Sequence, residues 1–233
     1  MKFNGPLCSG YYIVNTNKAM IKERLLLFTI CIVLISCNRG PDLSQNIDVH
    51  RIDRIIDEFG KLADSTYSDS TVLGTIMDFK TIDMNGVIES VEEGRAINLY
   101  YENIRSKKTS VFPIFEIRNT SKVILPVYGH GLWGKIWAKV VIDKATMNVL
   151  NIEFGHKSET PGIGGNINEP EFKTQFIGSK IYLSKNNFSL YKNDKKLIEG
   201  EQKIDGMSGA TITSKAAIEM LNNDLLKYKP YLR

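Results

Sequence analysis

Between residues 75 and 155, short runs rich in β-branched and aromatic residues follow one another with only turn-sized polar breaks. Nothing else in the chain constrains the fold as much, because such runs, bounded by Gly, Asn, Asp and Ser, read as strands. TIMDFKTI (Thr75–Ile82) and GVIES (Gly86–Ser90) flank the turn DMNG. RAINLYYENI (Arg95–Ile104) and VFPIFEIR (Val111–Arg118) are read as two more, separated by the polar RSKKTS. VILPVYG (Val123–Gly129), KIWAKVVID (Lys135–Asp143) and VLNIEFG (Val149–Gly155) follow, with DKATMN as a hairpin connection between the last two. KIYLS (Lys180–Ser184) and FSLYK (Phe188–Lys192) read as short strands around the turn KNN.

Helical patterns lie at the two ends. Ile52, Ile55, Ile56, Phe59 and Leu62 recur at helical spacing, which predicts an amphipathic helix over Asp48–Ala63 with a core-facing stripe. EPEFKTQFIG (Glu169–Gly178) reads as a short helix. A last helix is expected over Thr213–Lys227, burying Ile218, Leu221 and Leu225. Consecutive strands with helices at the ends predict an α+β domain, a largely antiparallel sheet with flanking helices. No internal repeat or low-complexity segment interrupts it.

At 233 residues and 42% apolar composition, the chain can bury one ordinary globular core. The formal net charge is +4, but Lys2, Lys18, Lys22 and Arg24 against Glu23 carry +3 of it. The part after Cys37 is nearly neutral and has no basic stripe of the kind nucleic acid requires. The cysteines are Cys8, Cys31 and Cys37, so the domain beyond has no disulfide, thiolate nucleophile or cysteine metal site. The histidines, His50, His130 and His156, lack metal-ligand spacing. There is no G-x-S-x-G elbow to favour a serine hydrolase.

The N-terminal run RLLLFTICIVLISC (Arg24–Cys37) has an uncharged core of 11 residues, Leu25–Ile35. A membrane-spanning helix needs about 20 residues, whereas a signal-peptide core needs roughly 7–15 behind a positive region. Leu34-Ile35-Ser36-Cys37 resembles the lipobox of bacterial lipoproteins, in which the cysteine, here Cys37, is lipidated. The alternative is a short anchor helix. Either way, the positive end stays in the cytoplasm and the domain lies outside the inner membrane, on the periplasmic side. Translation from Met20 reads as the more usual start, with Met1–Ala19 an upstream extension. The expected organisation is therefore signal or anchor over 1–37, a tether over 38–46, an N-terminal helix and strands over 47–110, and a ligand-binding part over 111–233.

Three loops built of small residues stand out. YGHGLWG (Tyr128–Gly134) brackets Trp133 with glycines, which suits either a tight turn with a core tryptophan or a ring-stacking site. HKSETPGIGG (His156–Gly165) holds a rigid Pro-Gly turn whose backbone groups are available to polar ring edges, or is a plain surface loop. DGMSGATITS (Asp205–Ser214) opens the last helix. Thr211 or Thr213 there reads as an N-cap, but Gly209-Ala210 is not explained by capping. A helix N-terminus favours a phosphate, and small residues let a bulky group approach Thr211.

Together, GHGLWG (Gly129–Gly134), ETPGIG (Glu159–Gly164) and DGMSGATITS resemble the landmarks of a family of FMN-binding domains. They have the order and approximate spacing of the flavin-binding C component of the sodium-translocating NADH:quinone reductase and of its relative in the Rnf complex. The resemblance runs from about Phe112 to the C-terminus. It implies a covalent FMN, joined through a phosphodiester bond to Thr211 by a flavin transferase after export. Asp205, Gly206, Ser208, Gly209 and Ala210 would complete the transferase recognition motif. Glu159, Thr160, Pro161, Gly162, Ile163 and Trp133 would border the isoalloxazine ring, although the family more often carries leucine at position 163. It further implies an electron relay, passing electrons one at a time among membrane redox subunits toward a quinone, with the sodium path in those other subunits. The short apolar run and lipobox-like Cys37 depart from the family's full membrane helix. A stand-alone lipid-anchored flavin carrier therefore remains open, as does a non-redox ligand-binding lipoprotein.

Overall fold

A computed structural model describes residues 57–63, 73–106, 108, 110–184, 186–191 and 200–233. The expected signal, lipidation site and tether, and most of the Asp48–Ala63 helix, lie outside the described residues. Residues 57–63 are helical and bury Phe59. A short helix α1 (Leu73–Ile76) leads into β1 (Met77–Asp83), β2 (Ile88–Ser90), helix α2 (Glu93–Arg105), β3 (Val111–Ile117), β4 (Lys122–His130), β5 (Lys135–Asp143) and β6 (Asn148–His156). Then come a 3-10 turn (Gly164–Asn168), α3 (Pro170–Lys173), β7 (Phe188–Leu190), β8 (Gln202–Ile204), α4 (Thr211–Asp224), a 3-10 turn (Leu225–Tyr228) and α5 (Lys229–Leu232). Among the described residues no helix is long and apolar enough to cross a membrane.

The main sheet has six strands in the order β2-β1-β3-β4-β5-β6, and every pair is antiparallel. Side chains alternate across a strand, so Phe115 and Phe112 of β3 point to opposite faces. On the first face Phe115 meets Phe59, with ring centroids 4.2 Å apart, and Tyr100 of α2 stands edge-on to Phe59. On the second, Tyr228 packs edge-on to Phe112, and Phe154 begins a run of rings through Phe172, Phe176 and Phe188. Helix α4 lies on this second face, where Gly129 gives it clearance. A Cβ on that glycine would come within 2.9 Å of Met220.

Three sequence expectations fail. Arg95–Ile104 is not a strand but the middle of α2. Its buried residues Ala96, Ile97, Leu99, Tyr100 and Asn103 recur at helical spacing, and that period outweighs the β-forming bias of Ile and Tyr. Lys180–Ser184 contributes one isolated bridge, Asn148 to Lys180, rather than a strand. Phe188–Leu190 pairs instead with Gln202–Ile204, and in parallel. Asn222 of α4 anchors that pairing: its side chain accepts from the N–H groups of Asn187 and Phe188 and donates to the Phe188 carbonyl. The last helix begins at Thr211, two residues before the expected start, and passes into a 3-10 turn after Asp224.

The sheet has a gap at its centre. β3 and β4 are paired only at Phe115↔Ile124 and Glu116↔Val123. Continuing that register sets Pro113 against Pro126, and proline has no N–H to donate to a ladder. Side chains fill the break. The Tyr228 hydroxyl reaches the carbonyls of both prolines. Asp224 accepts the Tyr128 N–H at 2.9 Å, and Asn103 of α2 donates to the Val111 carbonyl. The C-terminal end of α4 is thereby sewn into the sheet.

Candidate functional site

The opposite end of α4 meets the β4–β5 turn and the loop after β6. In the first, the Gly131 N–H closes on the Gly134 carbonyl at 2.8 Å, and Trp133 projects outward, 65% exposed. It is not a core tryptophan. In the second, Thr160-Pro161-Gly162-Ile163 is a turn closed by the Ile163 N–H on the Thr160 carbonyl. Proline stands second, and Gly162 third with φ of +76°, the residue types such a turn requires. The approach to α4 repeats the device. Met207-Ser208-Gly209-Ala210 is closed by the Ala210 N–H on the Met207 carbonyl, with Gly209 at φ +71°. Ser214, fully buried, clamps this turn from within the helix: its hydroxyl accepts the Met207 N–H and donates to the Ala210 carbonyl.

The N-cap of α4 is Ala210, which has no side-chain acceptor. Neither threonine caps the helix, contrary to the simplest expectation. Thr211 is the first helical residue and is exposed, whereas Thr213 is buried. Thr213 donates to Glu159 Oε2 at 2.6 Å, while Glu159 Oε1 accepts the Trp133 N–H at 2.8 Å. Burial raises the Glu159 pKa. The hydrogen bonds from Thr213 and from the N–H groups of Trp133, Gly134 and Leu132 together outweigh it and hold the carboxyl below its ordinary value.

Between these walls lies a cleft of about 280 Å³, lined by the exposed Leu132, Trp133, Thr160, Ile163, Gly209, Thr211 and Ile212 and by the buried Glu159, Gly164, Ala210 and Thr213. Its rim is unusually apolar for a surface: Leu132, Trp133, Ile163 and Ile212 are all exposed. Asp205, Gly206, Ser208 and Gly162 instead line a wider neighbouring cleft of about 750 Å³, and Ile163 stands between the two. Pro161 borders neither cleft. The chain thus brings together Trp133, Glu159, Thr160, Ile163, Gly209, Ala210 and Thr211, and sets Asp205, Gly206 and Ser208 on the adjoining side. Sequence reasoning missed Leu132, Ile212, Gly164 and the buried role of Thr213. Leu132 and Ile212 were signalled only as apolar residues embedded in otherwise small, polar motifs. Among the described residues no group of three or more His, Cys, Asp or Glu could hold a metal ion.

These features fit FMN. An apolar, partly open slot beside an exposed tryptophan suits a flat ring. An uncapped helix N-terminus suits a phosphate, and Thr211 stands there with its hydroxyl exposed. Residues 131–225, the segment that builds this cleft, match the family model of the FMN-binding domain. The chain also resembles NqrC, the C component of the Na(+)-translocating NADH-quinone reductase. The Haemophilus ducreyi protein is 34% identical over 113 residues, covering 48% of this chain and 44% of that protein. The Vibrio campbellii protein is 28% identical over 166 residues, covering 59% and 60%. The chain thus spans less than half the length of the first of these relatives. The crystal structure of the Parabacteroides distasonis counterpart superposes with a TM-score of 0.63 at 29% identity, covering 83% of this chain and 98% of that one. That of Shewanella oneidensis NqrC, at 15% identity and a TM-score of 0.60, covers 78% and 97% and bears on the fold alone.

Proposed function

We propose that this protein is an extracytoplasmic electron-transfer flavoprotein that carries FMN covalently on Thr211. The observation that supports the reading best is the position of that hydroxyl: exposed, on the first turn of an uncapped helix, at the rim of the Trp133–Ile163 cleft. When bound, FMN supplies the redox chemistry. The chain's own residues do the holding. The helix N-terminus favours the phosphate charge by roughly 0.3–1 kcal/mol, and up to ~2 where partly buried. Trp133, Leu132, Ile163 and Ile212 offer apolar surface to the ring. Gly209 and Ala210 leave the approach to Thr211 clear.

Among the described residues that line this cleft, Thr211 has no uncommitted base. Glu159, the carboxylate in this wall, is committed to Thr213 and Trp133. An unassisted hydroxyl is a poor nucleophile, so attachment requires a flavin transferase. In that step a phosphoanhydride bond of an activated flavin donor breaks and the Thr211 Oγ1–P bond forms. The hydroxyl proton passes to a base on the transferase. Asp205, Gly206 and Ser208, exposed on the adjoining cleft, are the residues such an enzyme would grip.

The partners in this reading are the membrane redox subunits of an NADH–quinone reductase, with Cys37 or the preceding apolar run holding the domain at the membrane. A stand-alone lipid-anchored carrier is the second reading, favoured by the 11-residue run Leu25–Ile35 and the lipobox-like Cys37 that follows it. Intact mass of the full chain, made in an exporting bacterium with an active transferase, tests the first claim. One FMN added through a phosphodiester, and lost in Thr211→Ala, is the expected result. An unmodified wild-type mass moves the non-redox ligand-binding reading forward. The same spectrum reads lipidation at Cys37, and co-purification with reductase subunits separates complex member from stand-alone carrier.

A further inference from the structure

We propose that the Glu159–Thr213 hydrogen bond is the tie that sets the two walls of the cleft, and that it decides which threonine of the motif accepts flavin. The proposal rests on the reading of Thr211 as the flavin acceptor and assigns Thr213 and Glu159 as positioning residues rather than ring contacts.

A single carboxylate joins segments far apart in the chain. Its Oε2 takes the hydroxyl of Thr213 on α4, and its Oε1 takes the N–H of Trp133 in the β4–β5 turn. Both partners of the side-chain bond are sealed from water, Glu159 at 3% and Thr213 at 1% exposure. The backbone is pared away around it. A Cβ at Gly131 would lie 2.6 Å from Oε1. One at Gly164 would lie 2.6 Å from Oε2 and 2.8 Å from the Thr213 hydroxyl. By contrast, a Cβ at Gly162 in the same loop would meet nothing within 4 Å. Two glycines thus make room for this carboxylate.

Helix geometry supplies the rest. Residues two apart on an α-helix point about 200° apart around its axis. Holding Thr213 inward against Glu159 therefore turns Thr211 outward to the rim. The Thr213 hydroxyl is also spent: its proton is donated and its surroundings are closed. The motif A-T-I-T then has one presenting threonine and one anchoring threonine, which explains why Thr213 makes no cap.

The test uses the full chain with and without the transferase. Without flavin, amide hydrogen exchange at Trp133 is expected to quicken ~10-fold or more in Thr213→Val and in Glu159→Gln, because a buried bond to a charged group is lost. Thr213→Ser, which keeps the hydroxyl, stays within about twofold of wild type. With the transferase, and at a temperature where each variant is folded, the rate of FMN attachment falls by the same order in Thr213→Val and recovers in Thr213→Ser. Glu159→Gln, nearly isosteric, carries the test if Thr213→Val does not fold. Exchange and loading both within twofold of wild type in Thr213→Val, or in Glu159→Gln, would overturn the proposal. A wild-type chain that takes up no flavin overturns the acceptor reading instead, while the exchange comparison still judges the tie.

Discussion

The two ends of α4 are built for opposite purposes. At the C-terminal end the side chains that face the sheet are enclosed. Asp224 and Leu225 are buried, Tyr228 is fully so, and polar atoms from this end stand in for the ladder that Pro113 and Pro126 cannot make. At the N-terminal end the cap is an alanine, Thr211 and Ile212 face solvent, and the neighbouring apolar side chains Leu132, Trp133 and Ile163 are exposed. Each end uses one buried carboxylate accepting a backbone N–H from β4 or the turn after it: Asp224 from Tyr128, and Glu159 from Trp133. At one end the carboxylate completes a sheet. At the other it props open a slot. The buried polar contacts with the sheet lie where the helix ends, and the proposed ligand site where it begins.

Substitutions at the two ends should therefore separate loading from stability. The largest effect is expected from Thr211→Ala, with complete loss of the FMN mass and a melting transition unchanged within ~0.5 kcal/mol, since an exposed side chain is removed. At the other end, Asp224→Ala should cost about 2–3 kcal/mol in urea unfolding. It strands the buried Tyr128 N–H and breaks the 2.6 Å pair with Lys227. Thr211 should still load fully in that variant at low temperature. Tyr228→Phe, which leaves the two proline carbonyls in the gap without their hydroxyl, should cost about 1–2 kcal/mol, again without loss of loading. A Tyr228→Phe protein as stable as wild type would mean that the gap tolerates unpaired carbonyls.

The smallest effect lies in pH. The folded state holds the Glu159 carboxyl below its ordinary value of 4.5. Its ionised form is thus bound more tightly in the fold than in the unfolded chain. The stability it contributes is present above pH 4.5 and is lost as the pH falls through the depressed folded value. Urea titrations at about pH 6 and about pH 3.5 should show a steeper loss for wild type than for Glu159→Gln, whose side chain does not titrate. Equal losses would show that the carboxylate is not preferentially ionised in the fold.

The strands β1 to β6 were legible in the sequence because alternation and turn residues are local signals, and hairpin pairing follows from them. So were the three small-residue loops. Helix α2 was not: Ile97, Tyr100 and Tyr101 favour strands by type, and only packing against β3 and Phe59 reveals which period governs. The parallel pairing of β7 with β8 was equally hidden, since its register is held by Asn222 across more than thirty residues of chain.

The same division runs through the site. The sequence by itself determined that Pro161-Gly162 makes a turn, that a helix starts near Thr213, and that small residues precede it, because each depends on backbone preferences of a few neighbouring residues. Those local preferences did not show which of Thr211 and Thr213 is exposed; Thr211 was marked as the acceptor by the family resemblance alone. One is the exposed hydroxyl and the other a buried anchor only because Glu159, brought in by the hairpin from β5 to β6, lies beneath the helix and accepts the second. That assignment depends on a hydrogen bond between residues 54 positions apart, and only the tertiary structure brings them together.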